Sequence, residues 1–480
     1  MPEHHLSKKA FKRQRAELNE ALLEAQYELR KANKGPVLVL VSGNDNGGKA
    51  EAIYSFYEWL DNRFLDTRAF ALPQGIEQRM PHLWRYWISL PGPGKLGFYL
   101  GSWYHQPQIR YCRGEINAEA FQLQMEEIAR FERLLSEEGV ALVKLWLQIE
   151  QPSGGEGAAQ ELEQSVVMRE WGDLGSVDHE QVMTSTQLMS ELTSTPWAPW
   201  IAVPSDDAHY RDIRVGQIVL QQIHQLLDKQ TKRPAPTPLL PAPLVRLQQV
   251  DYCLKLGKQQ YKQQLRHYQA ELRELVRHPA FAERSLLLVF EGTDAAGKGG
   301  AIRRITQCLD PRYMRVHGTR APTHEQRLQP YLLRFWRRVP TPGRVAIFDR
   351  SYYGRVLVER VERFCSRRQW QRAYDEINDF EAQLSAKGTL VLKFWLAITQ
   401  DEQLRRFKAR ERSPLKHYKL TEEDWRNRER WPHYEQALND MLAHTDTVLA
   451  PWYIVPAENK RYARVEALKI VCQALRQALK

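Results

Sequence analysis

In Glu291-Gly-Thr-Asp-Ala-Ala-Gly-Lys-Gly-Gly300, two glycines frame a loop that ends in a lysine, with an aspartate inside it. Glycines at positions 292 and 297 let backbone N–H groups converge on phosphate oxygens, and a helix starting there adds partial positive charge. Lys298 supplies a mobile cation. In this GxxxxGK pattern the next residue is usually Ser or Thr, whose hydroxyl ligates Mg²⁺; here it is Gly299. The metal must then rest on other oxygens. Asp294 and Asp349 are expected to hold Mg²⁺ together. Arg350 follows Asp349 with a planar fork suited to a transferring phosphoryl group. The expected catalytic set is therefore Asp294, Lys298, Asp349 and Arg350.

A second basic feature runs from Leu404 to Arg430. From Arg405 onward it holds ten bases and five acids. Arg406 and Arg410 are spaced to share one face of a helix. Ser413-Pro414 interrupts the run. The pattern predicts a lid or arm closing over a long polyanion. Gly292, Gly297, Gly299, Arg406, Arg410, Lys416 and Lys419 are the expected phosphate or polyphosphate contacts.

These residues need strands and helices to position them. PVLVLVSG (36–43), SLLLVFEG (285–292), VAIFD (345–349), TLVLKFWLAI (389–398) and WYIVPA (452–457) read as strands. The longer runs are apolar without alternation, as in buried parallel sheets. Polar helices are predicted at Ser7–Ala32 and Gln248–Arg277. The fold class is α/β: two tandem P-loop kinase-like domains, each a mainly parallel sheet flanked by helices.

The chain is one unit written twice. Gly43, Gly48 and Lys49 match Gly292, Gly297 and Lys298 at an offset of 249 residues, which holds through Trp87 and Trp336, Ser102 and Ser351, and Lys144 and Lys393. Pro199-Trp200 matches Pro451-Trp452 at 252. Between the copies, TKRPAPTPLLPAPL (231–244) carries five prolines and reads as a semi-rigid linker. The expected domains are residues 1–230, degenerate, a linker at 231–245, and residues 246–480, catalytic.

The first copy acts as an internal control. It keeps Asp45 and Lys49, but Leu100 and Gly101 stand where Asp349 and Arg350 stand in the second. The segment facing its lid, Glu150–Leu174, has six acids and one base, Arg169. Joint loss of a strand-end acid, the adjacent arginine and the basic arm is what one lost activity would leave.

Composition sets outer bounds. The 480 residues carry a formal charge of +11, which suits a polyanionic partner. The five cysteines are scattered, with no CxxC spacing, which argues against disulfides and zinc and favours the cytoplasm. No apolar leader or membrane span is expected. No zinc-finger, helix-turn-helix or RNA-binding aromatic motif stands out, so nucleic acid is disfavoured as a partner.

Together GTDAAGKGG, FDRSYYGRVLVERVE (348–362), RRFKARERSPLKHYKL (405–420) and APWYIVPAENKRYAR (450–464) resemble the polyphosphate kinase 2 family. The two-unit layout resembles its fused polyphosphate:AMP phosphotransferase subgroup, whose second unit is the active one. The resemblance implies transfer of the terminal phosphoryl group of inorganic polyphosphate to AMP, giving ADP, with Mg²⁺. It implies functional positions at Asp294, Lys298, Asp349, Arg350 and Arg410, a cytoplasmic location and a homo-oligomer. Rival readings are an ATP-dependent nucleotide kinase, a polyphosphate-dependent kinase of nucleoside diphosphates, and a nucleic-acid-binding P-loop regulator.

Overall fold

The computed structural model describes residues 4–43, 47–149, 179–228, 242, 248–414 and 420–480. The chain divides into two compact units. Met1–Gln78, His82–Lys232 and Pro322–Leu333 make the first; Arg79–Pro81, Arg233–Ala321 and Arg334–Lys480 make the second. Of the proline-rich stretch 231–245 only Ala242 is described; its N–H donates to Asp440 Oδ1 at 2.7 Å.

The first unit holds strands β1 (Val37–Gly43), β2 (Leu65–Ala69), β3 (Leu96–Leu100), β4 (Ala141–Gln148) and β5 (Trp200–Pro204). The second holds β6 (Ser285–Gly292), β7 (Met314–Gly318), β8 (Val345–Asp349), β9 (Thr389–Ala397) and β10 (Trp452–Pro456). Their orders are the same, β2-β3-β1-β4-β5 and β7-β8-β6-β9-β10, and the strands pair in parallel throughout.

Central β6 is apolar along most of its length because it is covered on both faces. Leu286, Leu288 and Phe290 are fully buried and join a core with Leu272, Ile302, Ile305, Leu468 and Val471 from flanking helices. Each such side chain contributes about 1.5–3 kcal/mol by leaving water. Edge strands β2 (LDTRA) and β7 (MRVHG) are short and polar, and no apolar run announces them. The helix expected at Gln248–Arg277 begins instead at Lys258 and ends at Leu275. Its start is displaced because Asp251 turns the chain by accepting the Cys253 N–H at 2.9 Å and Gly257 takes the extended N-cap.

This topology places the candidate residues. The chain leaves β6 for edge strand β7, returns to β8 beside β6, then crosses to β9 on the other side. Ligands of open parallel sheets bind outside the carboxyl ends of the strands at such a reversal. The register aligns Phe290 with Asp349, so the loop after β6 starts next to the end of β8.

Candidate active site

The loop between β6 and the helix Lys298–Thr306 is built on positive backbone angles. Gly292 has φ 144°, and a Cβ there would lie 2.7 Å from the Leu396 carbonyl oxygen, so only glycine fits. Gly297 caps the helix at φ 115°, and Ala295 takes φ 62° despite its side chain. Lys298 Nζ reaches back to donate to Gly292 O at 2.5 Å and to Thr293 O at 3.3 Å. Burial and then the Arg350 charge push this ammonium below the ordinary lysine range, against the pull of Asp294, Asp349 and Glu291.

The loop lines a cleft of about 520 Å³ together with Asp349, Arg350, Arg410, Thr421, Glu423, Asp424 and Asn427, bringing Asp294, Gly297, Lys298 and Gly299 beside them. Asp294 gives one carboxylate oxygen to Arg350 at 2.6 Å and the other to Asn427 Nδ2 at 2.9 Å. Arg350 stays half exposed. Its φ is 61°, the left-handed region, which costs a side-chain-bearing residue about 1–2 kcal/mol. Strain of this kind collects at functional sites.

Several bases of the run are taken up by the fold. Arg406, expected on phosphate, is 3% exposed and lies behind the loop. Its five N–H donors go to Glu402, to the carbonyls of Ala295 and Ala296, and to those of Ala457 and Glu458. A guanidinium so enclosed cannot also meet a phosphate; it props up the strained Ala295 turn. Arg426 and Arg430 both close on buried Glu362 at 3.1 Å. Arg428 donates to Gln400 O at 2.5 Å. Among the described bases of this run, Arg410 lines the cleft. Lys416 and Lys419 lie outside the described residues, as does Asp45 in the first unit.

Asp294 and Asp349 are hard oxygen donors on one cleft, and Mg²⁺ commonly takes only one or two carboxylates together with substrate phosphates and water. The donor set fits that ion. Among the described residues no group of three or more His, Cys, Asp or Glu side chains assembles that could hold a metal alone. A Cβ at Gly299 would meet nothing within 4 Å, so the missing hydroxyl does not reflect crowding.

The model of the family described as polyphosphate kinase 2 matches residues 5–232 and again 255–480. The chain belongs to the polyphosphate kinase 2 family. It is 41% identical to the polyphosphate:AMP phosphotransferase of Pseudomonas aeruginosa over 99% of this chain and 98% of that protein. It is 40% identical to the polyphosphate:AMP phosphotransferase of Pseudomonas syringae pv. tomato, covering 96% of this chain and 94% of that one. Among solved structures, a crystal structure of a polyphosphate kinase 2 from Pseudomonas aeruginosa superposes with a TM-score of 0.89 at 40% identity, covering 99% and 98% of the two chains.

Within this family framework the first unit shows what the cleft can lose. Lys49 Nζ still donates to Gly43 O at 3.0 Å, as Lys298 does to Gly292. β3, however, ends on Leu100, and Gly101 after it takes φ 70°. The turn has the same handedness in both copies; only in the second does it carry a side chain.

Several residues in or behind the cleft are not marked by the sequence motifs. Glu291 is buried beneath Lys298 and Arg350 and accepts two hydrogen bonds from Ser351. Burial pushes its carboxyl above the usual range, opposed by Lys298 and by those bonds. Its counterpart is Ser42, so the repeat itself held the signal. Asn427, tied to Tyr434 at 3.1 Å, and Gln403, which donates to Asp294 O at 3.3 Å, left no mark in sequence.

Proposed function

We propose that the second unit transfers the terminal phosphoryl group of inorganic polyphosphate to AMP, producing ADP and a chain shorter by one phosphate. The observation that carries this reading is the cleft where the phosphate loop, Lys298, Asp349, Arg350 and Arg410 converge. Lys298, Arg350 and Arg410 offer cations to donor and acceptor phosphates there, while Asp294 and Asp349 leave carboxylates for a metal. The full-length likeness to two polyphosphate:AMP phosphotransferases supports the same acceptor.

In this scheme an oxygen of the AMP phosphate forms a bond to the terminal phosphorus as the bond to the bridging oxygen breaks. That nucleophile is already ionised at neutral pH, so alignment and charge balance matter more than a general base. The loop amides and Lys298 orient the reacting phosphates. Arg350 balances charge developing on the equatorial oxygens, and Arg410 holds the donor chain. Kinases of this family generally require a divalent cation; Asp294 and Asp349 are the residues that would hold Mg²⁺, which would supply charge neutralisation to the phosphates.

Residues 246–480 carry the activity, residues 1–230 form a degenerate counterpart, and residues 231–245 join them. No helix among the described residues is long and apolar enough to cross a membrane. A cytoplasmic homo-oligomer completes the reading; light scattering of the purified chain tests assembly. Substrate profiling tests the chemistry. AMP, GMP, ADP and GDP are each offered with polyphosphate, and AMP separately with ATP. AMP with polyphosphate should be the fastest pair. Preference for ATP as donor would overturn the proposal.

A further inference from the structure

Glu291 is the second-last residue of β6, directly before the first loop glycine, Gly292, and is 5% exposed. Its Oε1 accepts the Ser351 N–H and the Ser351 hydroxyl, each at 2.8 Å. Ser351 follows Arg350, whose φ is 61° and whose own N–H donates to Phe290 O at 3.0 Å. The left-handed turn is therefore held on both sides by the end of β6. In the first unit the turn persists as Gly101 at φ 70°, but Ser42 replaces the carboxylate. Glycine adopts this conformation without a steric penalty, whereas arginine does not. Carboxylate and arginine occur together in one copy and are missing together from the other.

We propose that Glu291 is a positioning residue: its buried carboxylate clamps the Arg350–Ser351 turn and so aims the Arg350 guanidinium into the cleft. The inference rests on the phosphoryl-transfer reading for its functional consequence, but the clamp is a property of the turn and can be measured without turnover.

The test is a double-mutant cycle in the full chain. Glu291→Ser and Arg350→Gly install the first unit's residues singly and together, and Glu291→Gln keeps an oxygen able to accept both Ser351 bonds. In thermal unfolding, Glu291→Ser should lower the midpoint, and adding Arg350→Gly should recover most of the loss. If Glu291→Ser alone does not fold, the double variant should. In polyphosphate-driven ADP formation, Glu291→Ser should lower kcat about 50-fold or more while KM for AMP moves less than about threefold. Glu291→Gln should stay within about fivefold of wild type, and Glu291→Ser should cost less than about twofold in the Arg350→Gly background. Midpoint losses that simply add, fold losses in kcat that multiply, or a Gln variant as damaged as the Ser variant would overturn the clamp. Wild-type protein forming no ADP would instead defeat the functional reading, with the unfolding cycle still deciding the clamp.

Discussion

Lys144 in the first unit and Lys393 in the second are both fully buried, each 2.7 Å from a glutamate, Glu132 or Glu381. Both ammonium groups also donate to a threonine carbonyl, Thr193 O at 2.7 Å or Thr445 O at 2.6 Å. A tyrosine, Tyr104 or Tyr353, donates to the same glutamate, and a tryptophan, Trp200 or Trp452, donates to the threonine hydroxyl. This buried network survives in both copies. Three residues of the second unit's site do not: Glu291, Asp349 and Arg350 correspond to Ser42, Leu100 and Gly101. Unusual buried chemistry alone would have marked both sites as functional. The comparison separates them. On the proposed reading the buried network, kept in both copies, serves the fold, the residues kept in one copy serve the reaction, and the loop lysine, kept in both, is used for chemistry only in the second.

The sharpest way to break this comparison is at the paired loop lysines. Lys298→Ala should lower ADP formation by about 10³-fold, from loss of transition-state charge balance. Lys49→Ala should leave it within about twofold. A large effect of Lys49→Ala would mean the first unit takes part in turnover. Next come the buried pairs. Lys144→Met and Lys393→Met should each destabilise their own unit by about 3–5 kcal/mol, because each strands a buried glutamate. Hydrogen exchange localised to each unit would measure this, and an effect in only one unit would end the claim of a shared scaffold.

A finer contrast lies within one helix, Gln400–Glu411. Arg406→Ala should cost about 3 kcal/mol by taking the guanidinium donors from four backbone carbonyls, leaving Glu402 with Arg405 alone. Arg410→Ala should leave stability within about 1 kcal/mol but raise KM for polyphosphate about tenfold, more weakly at high salt. Denaturant unfolding and steady-state kinetics at two ionic strengths distinguish them. The smallest expected effect is at Gly299. A Cβ there meets nothing within 4 Å, so Gly299→Ser should keep kcat within about threefold. A larger loss in its kinetics would mean that the substrate fills that space.

The central strands were legible because burial on both faces leaves an uninterrupted apolar run, as in SLLLVFEG. MRVHG and LDTRA were not, since an edge strand paired on one side tolerates charge. Helical spacing put Arg406 and Arg410 on one face, but spacing does not say how deep each side chain lies. The structure buries one among backbone carbonyls and sets the other on the cleft. Glu291 was legible only through the repeat, and Asn427 depends on a tertiary approach that no local pattern encodes.

The most direct measurement is ADP formation from AMP, polyphosphate and Mg²⁺ without ATP, in the intact wild-type chain beside its Asp349→Ala variant. Wild type should form ADP, and the variant, still folded and still carrying an unaltered first unit, should form essentially none. No ADP from wild type, or a comparable rate from Asp349→Ala, would contradict the assignment of polyphosphate-driven phosphorylation to the second unit alone.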